Sequence, residues 1–184
     1  IYADCIGPVS ESFRGHKYIA VFRDEHTGYA WIYPLRTINA QNLLDCFKDA
    51  FPKLSGLPKI LRADRGSEFN KEFNRYLHEE GIRTEYGLPY SRQTRSRGER
   101  WHGTLSNGIR TALSQAGMPV GCWHLAAEMW CHNWNATVKK KGFNVTPARI
   151  VKPLYPSAEQ LVPFGCHAVA MRQKERAGHQ GGKL

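Results

Sequence analysis

The stretch that decides the fold is "LRADRGSEF", residues 61–69, in which an apolar strand pattern stops on an acidic residue. Leu61 and Ala63 belong to the apolar run, and Asp64 ends it. A carboxylate at the end of a core strand is costly unless it is paired or holds a cation. Gly66 follows at once, and glycine allows a tight exit from the strand into the next element. The stretch therefore predicts either a turn-forming aspartate or a carboxylate presented as a metal ligand.

The overall composition is that of a folded, basic domain. The chain has 184 residues, of which 41% are hydrophobic and 11% aromatic, enough for one domain with a substantial core. A formal net charge of +10 favours a polyanionic partner, with nucleic acid before an acidic membrane. Many basic proteins bind nothing specific, so charge alone leaves that alternative open. No apolar run approaches the roughly 18 residues of a membrane span.

The five cysteines are scattered, odd in number and without a CxxC pair. This pattern predicts buried thiols in a reducing compartment rather than a disulfide framework. The chain begins inside a strand pattern, "IYADCIGP", and we expect it to be a piece of a longer polypeptide.

The first half of the chain alternates between strand and helix patterns. Strands are expected in the segments 1–7, 17–24, 28–36, 59–64 and 82–87. Helical spacing joins the apolar residues Ala40, Leu43, Leu44, Phe47, Ala50, Phe51 and Leu54. This predicts an amphipathic helix, which we expect to stop at Gly56 and Pro58.

The second half is predicted to be mainly helical. A helix is indicated by Phe69, Phe73, Tyr76 and Leu77, with Gly81 as its C-cap. Residues 88–98 have no period and read as a loop. Helices follow at 101–116 and at 122–134, the latter apolar nearly all round and therefore expected to be buried. The order βββαβαβαα predicts one α/β domain with a mixed sheet.

Three acidic residues stand out from those expected on solvated helix surfaces. Asp4 and Asp64 each interrupt or end an apolar strand, and a glycine follows each within three residues. Glu99 lies at the expected start of the 101–116 helix, off its apolar stripe. Structural roles also explain each position: a turn-forming Asx cap for the aspartates, and a favourable helix dipole for Glu99.

Carboxylates from two strands and a helix start could converge at one edge of the sheet. Oxygen ligands of this kind suit Mg²⁺ or Mn²⁺. Two such ions can hold the attacking and leaving oxygens of an in-line phosphoryl displacement. The three residues thus form a candidate metal-dependent phosphoryl-transfer site.

Five ordered blocks resemble the catalytic core of integrases from copia-type LTR retrotransposons, within the retroviral integrase family. "YADCIGPVSES" looks like the family's D-x-x-G-P block, and "LRADRGSEF" looks like its D-x-G-x-E-F block. "VFRDEHTGYAWIYPL" is similar to the strand pair that follows the first block. "GLPYSRQTRSRGERWHGTL" is similar to the block around the catalytic glutamate, and "TPARIVKPLYPSAEQLVPFGC" is similar to the segment after the core. The resemblance implies a ribonuclease-H-like fold, a five-stranded mixed sheet flanked by helices.

The resemblance also implies roles for individual residues. Asp4 and Asp64 match the two catalytic aspartates and Glu99 the catalytic glutamate, whereas Asp24 occupies a family-like position that is not catalytic. The implied activity is DNA integration: trimming element ends with water, then joining their 3′-hydroxyls to target DNA, with divalent metal. Residues 1–140 would be the catalytic core and 141–184 a C-terminal extension. The implied setting is an oligomer, a dimer or tetramer, that acts in the nucleus after assembly in cytoplasmic particles as part of a polyprotein.

Three departures from the family pattern concern the block around Glu99. The 34 residues between Asp64 and Glu99 (99 − 64 − 1) are one fewer than is usual in the family. The family's Pro-Gln-Gln-Asn-Gly reads Arg-Gln-Thr-Arg-Ser at 92–96, and its Asn-Arg after Glu-Arg reads His102-Gly103. A catalytically decayed or co-opted nucleic-acid-binding domain is therefore an alternative. A related transposase is another, although the copia-like segment 146–166 argues against it.

Basic residues around the candidate site suggest DNA contacts. The expected DNA-binding residues are Gln93, Arg92, Arg95, Arg97, Arg100, Lys139, Lys140 and Lys141. A solvated basic loop or turn is the alternative reading for these charges. His124, Glu128 and His132 have helical spacing but sit in an apolar helix without an HExxH motif, so core or interface histidines are favoured over a zinc site. Trp123, Trp130 and Trp134 are expected to serve core packing or a subunit interface.

Overall fold

The structure is a computed structural model that describes residues 1–52, 56–63, 71–86, 92–139, 142–152 and 161–167. Within its helices, only the backbone is described for residue 71 and for residues 92–99. None of the helices in these ranges is long and apolar enough to cross a membrane.

One five-stranded mixed sheet forms the centre of the molecule, as predicted. Its strands are β1 Tyr2–Ile6, β2 Tyr18–Arg23, β3 Ala30–Leu35, β4 Ile60–Ala63 and β5 Arg83–Tyr86. They lie in the order β3-β2-β1-β4-β5. β1, β2 and β3 pair antiparallel as a meander, whereas β4 pairs parallel with both β1 and β5.

Helices cover both faces of the sheet. They are α1 Ala40–Ala50, α2 Lys71–Glu79, α3 Arg92–Ala116, α4 Trp123–Thr137 and α5 Pro147–Val151, with a 3₁₀ turn at Val120–Cys122 before α4. α1 and α2 pack on one face around Phe47 and Phe73, while α3 and α4 pack on the other around Leu105 and Ala126.

Alternation along the central strands separates the two cores. On β2, Ala20 and Phe22 belong to the core under α1 and α2, whereas Ile19 and Val21 belong to the core under α3 and α4. Successive side chains of a strand point to opposite faces, so a strand covered on both sides reads as a continuous apolar run. This is why 17–24 has the pattern of a central strand.

Two helix boundaries differ from the sequence prediction. The prediction of a loop at 88–98 is wrong from residue 92 onward, because α3 begins at Arg92. Its first turns are rich in arginine, a good helix former, and their sequence carries no apolar period. α1 ends at Ala50, before the expected stop, because Pro52 disfavours helical geometry at Phe51, whose φ is −128° and ψ is 71°.

Helix α4 is buried on only part of its circumference, which corrects the prediction of a helix buried all round. Leu125 is 37% exposed, and Glu128 is also exposed. Asn135 is 3% exposed and binds both backbone groups of Ala30: Oδ1 accepts from N at 2.9 Å and Nδ2 donates to O at 2.7 Å. This pair of bonds docks α4 on the edge strand β3.

The tryptophans of the predicted stripe serve core packing. Trp123 is buried, while Trp130 and Trp134 stack on each other with ring centres 5.2 Å apart. Gly108 of α3 faces this stack, since a Cβ there would lie 1.9 Å from Nε1 of Trp130.

The five thiols are free, as predicted. Cys46, Cys122 and Cys131 are buried, Cys5 is half-buried and Cys166 is exposed. Burial raises the pKa of Cys131 to about 12 and that of Cys46 to about 11. These two thiols therefore remain protonated at neutral pH.

Candidate active site

Asp4 lies in the middle of β1 with its side chain on the α3–α4 face of the sheet. Its neighbour Ala3 belongs to the opposite core, and its cross-strand partner Val21 belongs to the core under α3 and α4. Tyr2 donates its hydroxyl to Oδ2 at 3.0 Å, and the Cys5 N–H donates to Oδ1 at 2.8 Å. The carboxylate is thus oriented, and its side chain is 19% exposed.

His102 of α3 meets Asp4 across this face. Its Nε2 lies 3.1 Å from Oδ2 of Asp4, close enough for an ion pair. The two groups are not aligned as a hydrogen bond, because Nε2 has no hydrogen-bond partner in the described part of the chain. Sequence reasoning noted His102 only as a departure from the family pattern, and missed its contact with Asp4.

Asp64 lies outside the described residues. What the structure gives is the end of β4 at Ala63, as the strand pattern predicted. The parallel pairing of β1 with β4 sets Tyr2 opposite Arg62 and Ala3 opposite Ala63. Asp4 is the next residue of β1 after this pairing, and Asp64 is the next residue in the sequence after the end of β4.

Glu99 lies within α3, which corrects its predicted place at a helix start. It comes seven residues after Arg92, the first residue of the helix, so the dipole of the first turn does not account for it. Its side chain lies outside the described residues. His102 is three residues further along the same helix, and residues with this spacing are neighbours on one helix face.

The expected DNA-binding residues are described only in part. Arg100 and Lys139 are exposed. The backbone of 92–97 is helical, so the expected DNA-binding residues in this range lie on α3 and not in a loop: Arg92, Gln93, Arg95 and Arg97. Their side chains lie outside the described residues, and so do Lys140 and Lys141.

Two other motif residues have structural roles. A Cβ on Gly7 of the D-x-x-G-P block would lie 2.7 Å from the carbonyl oxygen of Lys17, and its φ of +133° also favours glycine. Asp24 closes the β2–β3 turn, where it accepts from Thr27 Oγ1 at 2.6 Å and from the N–H groups of His26 and Thr27. Burial raises the pKa of Asp24, but these hydrogen bonds outweigh burial and lower the pKa overall.

Other carboxylates near the sheet are already paired. Arg62 binds Glu85 at 2.7 Å and Glu25 at 2.5 Å, and Asp49 accepts the Tyr33 hydroxyl at 2.7 Å. Within the described ranges, no three His, Cys, Asp or Glu side chains form a group that could hold a metal. Of the three predicted ligands, Asp4 alone has its side chain in those ranges.

The fold is the ribonuclease-H-like fold of retroviral integrase catalytic cores. The chain is similar to the HTLV-2 integrase catalytic core domain in complex with magnesium, in its trimeric form, with a TM-score of 0.63 at 17% identity over 81% of this chain and 93% of that one. It is similar to the BIV integrase core, with a TM-score of 0.61 at 18% identity over 82% and 91%. It is also similar to a chain of the simian T-cell lymphotropic virus intasome in complex with PP2A regulatory subunit B56 gamma. The TM-score is 0.67 at 16% identity, over 94% of this chain and 59% of that one.

Sequence comparison agrees with the resemblance to integrase cores. The family model described as integrase core domain matches residues 3–92. The chain is 30% identical over 180 residues, 96% of its length, to the Pol polyprotein of transposon TNT 1-94 from Nicotiana tabacum, and 31% identical over 134 residues, 70% of its length, to the Ty1-NL2 Gag-Pol polyprotein of Saccharomyces cerevisiae. The chain thus carries an integrase core domain match in its first half, and its predicted resemblance to copia-type elements is confirmed. It spans 14% of the tobacco polyprotein and 8% of the yeast polyprotein.

Proposed function

We propose that this domain catalyses metal-dependent polynucleotidyl transfer in DNA integration, with Asp4, Asp64 and Glu99 as its catalytic carboxylates. The observation that carries the proposal is the arrangement around Asp4. The pairing of β1 with β4 places Ala3, which precedes Asp4, opposite Ala63, which precedes Asp64 in the sequence, and the His102 contact brings α3 to Asp4.

Strand geometry supports the pairing of the two aspartates. Neighbouring strands lie about 4.7–4.9 Å apart, and paired residues in register project to the same face. Asp4 projects to the face covered by α3 and α4. If β4 keeps its register for one more residue, the carboxyl groups of Asp4 and Asp64 lie side by side on that face.

Helix geometry supports the third carboxylate. His102 reaches Asp4 from α3, and Glu99 is three residues earlier on the same helix. Residues three apart have Cβ atoms about 5–6 Å from each other. Glu99 would therefore approach the same pair of aspartates from the helix side.

The donor set fits a hard divalent cation. Carboxylate oxygens are the ligands that Mg²⁺ and Mn²⁺ prefer, and Asp4 is oriented by hydrogen bonds and mostly shielded from solvent. Asp4, Asp64 and Glu99 would hold the metal, which we propose to be two Mg²⁺ or Mn²⁺ ions. Such ions supply Lewis acidity at the transferred phosphate when bound.

The chain's own groups then position the reactants. The carboxylates would hold the cations, and basic side chains would bind the phosphodiester. In end processing, water would attack the phosphorus and break its bond to the 3′-oxygen, which leaves as a free 3′-hydroxyl. In joining, that 3′-hydroxyl would attack a target phosphorus and release the target's own 3′-oxygen in the same way. No covalent enzyme intermediate is required. The proposed DNA contacts come from the basic first turns of α3 and from the lysines after α4: Arg92, Gln93, Arg95, Arg97, Arg100, Lys139, Lys140 and Lys141.

Further parts of the proposal concern the setting of the domain. Residues 1–140 would form the catalytic core, followed by an extension over 141–184. We propose that the domain acts as an oligomer, on DNA in the nucleus, after assembly in cytoplasmic particles as part of a Pol polyprotein. The relatives that are Pol polyproteins and the intasome neighbour support this setting.

A strand-transfer assay tests the function. The protein is incubated with element-end duplex, target DNA and Mn²⁺, and the variants Asp4→Asn, Asp64→Asn and Glu99→Gln are compared with wild type. We expect each variant to lose product by a factor of about 100 or more, while retaining DNA binding. Asp45→Asn, on the exposed face of α1, is the matched control and is expected to keep activity.

The competing function is nucleic-acid binding without turnover. Its support is the altered block before Glu99 and the replacement of the family's asparagine by His102. Salt-dependent DNA binding by wild type and all three carboxylate variants, with no product from any of them, would establish this function and contradict the enzyme.

A further inference from the structure

Two histidines outside the candidate active site have buried imidazole nitrogens without hydrogen-bond partners in the described part of the chain. His16 lies in the loop between β1 and β2, and His124 is the second residue of α4. Their ring centres are 5.2 Å apart with planes tilted by 57°. The two residues belong to different elements, so their meeting is a product of the fold.

His124 is buried without any hydrogen bond. It is 2% exposed, and both Nδ1 and Nε2 lack a partner in the described part of the chain. Nδ1 of His16 is likewise buried and unpartnered. Buried polar groups normally have a hydrogen-bond partner, so three unpartnered nitrogens at one place point to a ligand-binding site.

The loop that carries His16 is fastened in place around the pair. Ser12 Oγ accepts from the His16 N–H at 3.0 Å, and the Trp123 indole donates to the Ser10 carbonyl at 2.7 Å. Phe13 N also donates to the carbonyl of Gly121 at 2.9 Å. These bonds hold the loop against the start of α4, so His16 reaches His124 on a fixed backbone.

We propose that His16 and His124 bind a transition-metal ion of the Zn²⁺ class, with Glu128 or water completing the coordination. Two imidazoles on one tetrahedral ion, with metal–nitrogen bonds of about 2.0–2.1 Å, have ring centres roughly 5 Å apart. As the side chains stand, Glu128 does not form a three-ligand group with the pair. It lies one helical turn after His124 and is exposed, so its side chain can turn toward the pair. The bound ion would clamp the β1–β2 loop to α4.

Burial and nearby charges favour the neutral form of His16, which is the form that binds metals. Burial, His124 and the guanidinium groups of Arg36 and Arg14 lower the pKa of His16, and Glu128 raises it by a smaller amount. Neutral imidazole therefore predominates at neutral pH. The two arginines also oppose a cation, and Glu128 offsets that repulsion.

Cobalt substitution tests the site directly. Untagged protein receives one equivalent of Co²⁺ in excess Mg²⁺, which occupies oxygen sites and is a poor ion for imidazole. We expect the visible absorption of tetrahedral Co²⁺ in wild type and its loss in His16→Asn. His78→Asn, which removes an exposed histidine of α2, and Asp4→Asn are controls that should keep the spectrum.

A stability measurement provides a second readout. Zn²⁺ at ten times its dissociation constant should raise the Tm of wild type by about 3–6 °C and leave that of His16→Asn unchanged. Glu128→Gln, at an exposed position, should weaken binding by about tenfold. An absent cobalt spectrum in wild type, or an equal spectrum and equal Zn²⁺ shift in His16→Asn, would overturn the proposal. Neither result depends on strand transfer.

Discussion

At the scale of single residues, the contact between Asp4 and His102 is the most informative feature of the site. It joins the central strand to the helix that carries Glu99. The family's residue at position 102 is asparagine, which also offers a donor at this point of the helix. The chain therefore has an altered residue at this position, and the Nε2 atom of that residue lies 3.1 Å from Oδ2 of Asp4.

Substitutions at position 102 test this role. We predict that His102→Asn keeps strand transfer close to wild type, because the asparagine amide is also a polar group with N–H donors at the position from which His102 contacts Asp4. His102→Leu should reduce it by about tenfold or more, since supporting partners of metal ligands usually matter to that extent. Steady-state strand-transfer assays on the two variants measure the difference, and equal activity of both would show that position 102 does not support Asp4.

Asp24 gives a pH-dependent prediction at the same scale. Its pKa is lowered in the folded protein, so the folded state releases this proton more readily than the unfolded state. The resulting stabilisation is present above the unfolded pKa of about 3.9 and is lost as the pH falls through the lower folded value. Chemical denaturation over roughly pH 2 to pH 5 measures the free energy of unfolding. We expect this free energy to depend less steeply on pH for Asp24→Asn than for wild type.

The same residues show what sequence can predict of the site. Asp4 is recognisable because it breaks an apolar strand, and Asp24 because its turn residues follow it. The His102 contact is not predictable from local pattern, since it depends on how α3 crosses β1. The approach of His16 to His124 has the same origin, a tertiary contact between residues remote in sequence.

At the scale of elements, the packing of α3 on α4 depends on one small residue. Gly108 lets the Trp130 ring lie against the helix backbone, and Trp130 stacks on Trp134. Among the described residues, and apart from its own helix backbone and chain neighbours, no atom lies within 4 Å of the position that a Cβ on Gly103 of the same helix would take. The two glycines therefore form an internal comparison.

We predict opposite effects of alanine at these two positions. Gly108→Ala should destabilise the fold by about 1–3 kcal/mol, because Trp130 must leave its stack. Gly103→Ala should stabilise it by about 0.5–1 kcal/mol through helix propensity alone. Urea unfolding of both variants measures the free energies, and stabilisation by Gly108→Ala would contradict the packing seen here.

Element boundaries were predictable where a residue dictates the backbone. Gly81 ends α2 as expected: its φ is +70°, and the Ile82 N–H donates to the Leu77 carbonyl at 2.8 Å. The start of α3 was missed because its first turns are polar and carry no apolar period. α1 ends earlier than its apolar spacing predicts, because Pro52 disfavours helical geometry at Phe51.

At the scale of the whole molecule, the prediction of buried thiols is confirmed for Cys46, Cys122 and Cys131 and is wrong for Cys166, which is exposed. We predict that maleimide labels Cys166 first and labels Cys46 more slowly by about a hundredfold, because a raised pKa reduces the thiolate fraction. Mass spectrometry of the native protein over time follows the adducts. Rapid labelling of Cys46 would contradict the packing of α1 on the sheet.

The fold as a whole follows from pattern more readily than the site does. Five strand patterns and the intervening helices were enough to predict a mixed sheet flanked by helices. The convergence of acids depends on register and helix rotation, which single-element patterns do not specify. The structure gives the β1–β4 register up to Ala3 and Ala63, and the proposal continues it by one residue.

A crystal structure of the domain soaked with Mn²⁺ tests the central claim most directly. We predict anomalous density for Mn²⁺ with carboxylate oxygens of Asp4, Asp64 and Glu99 within about 2.5 Å of the ions. A well-ordered Glu99 or Asp64 that points away from Asp4, with no Mn²⁺ between them, would contradict the account.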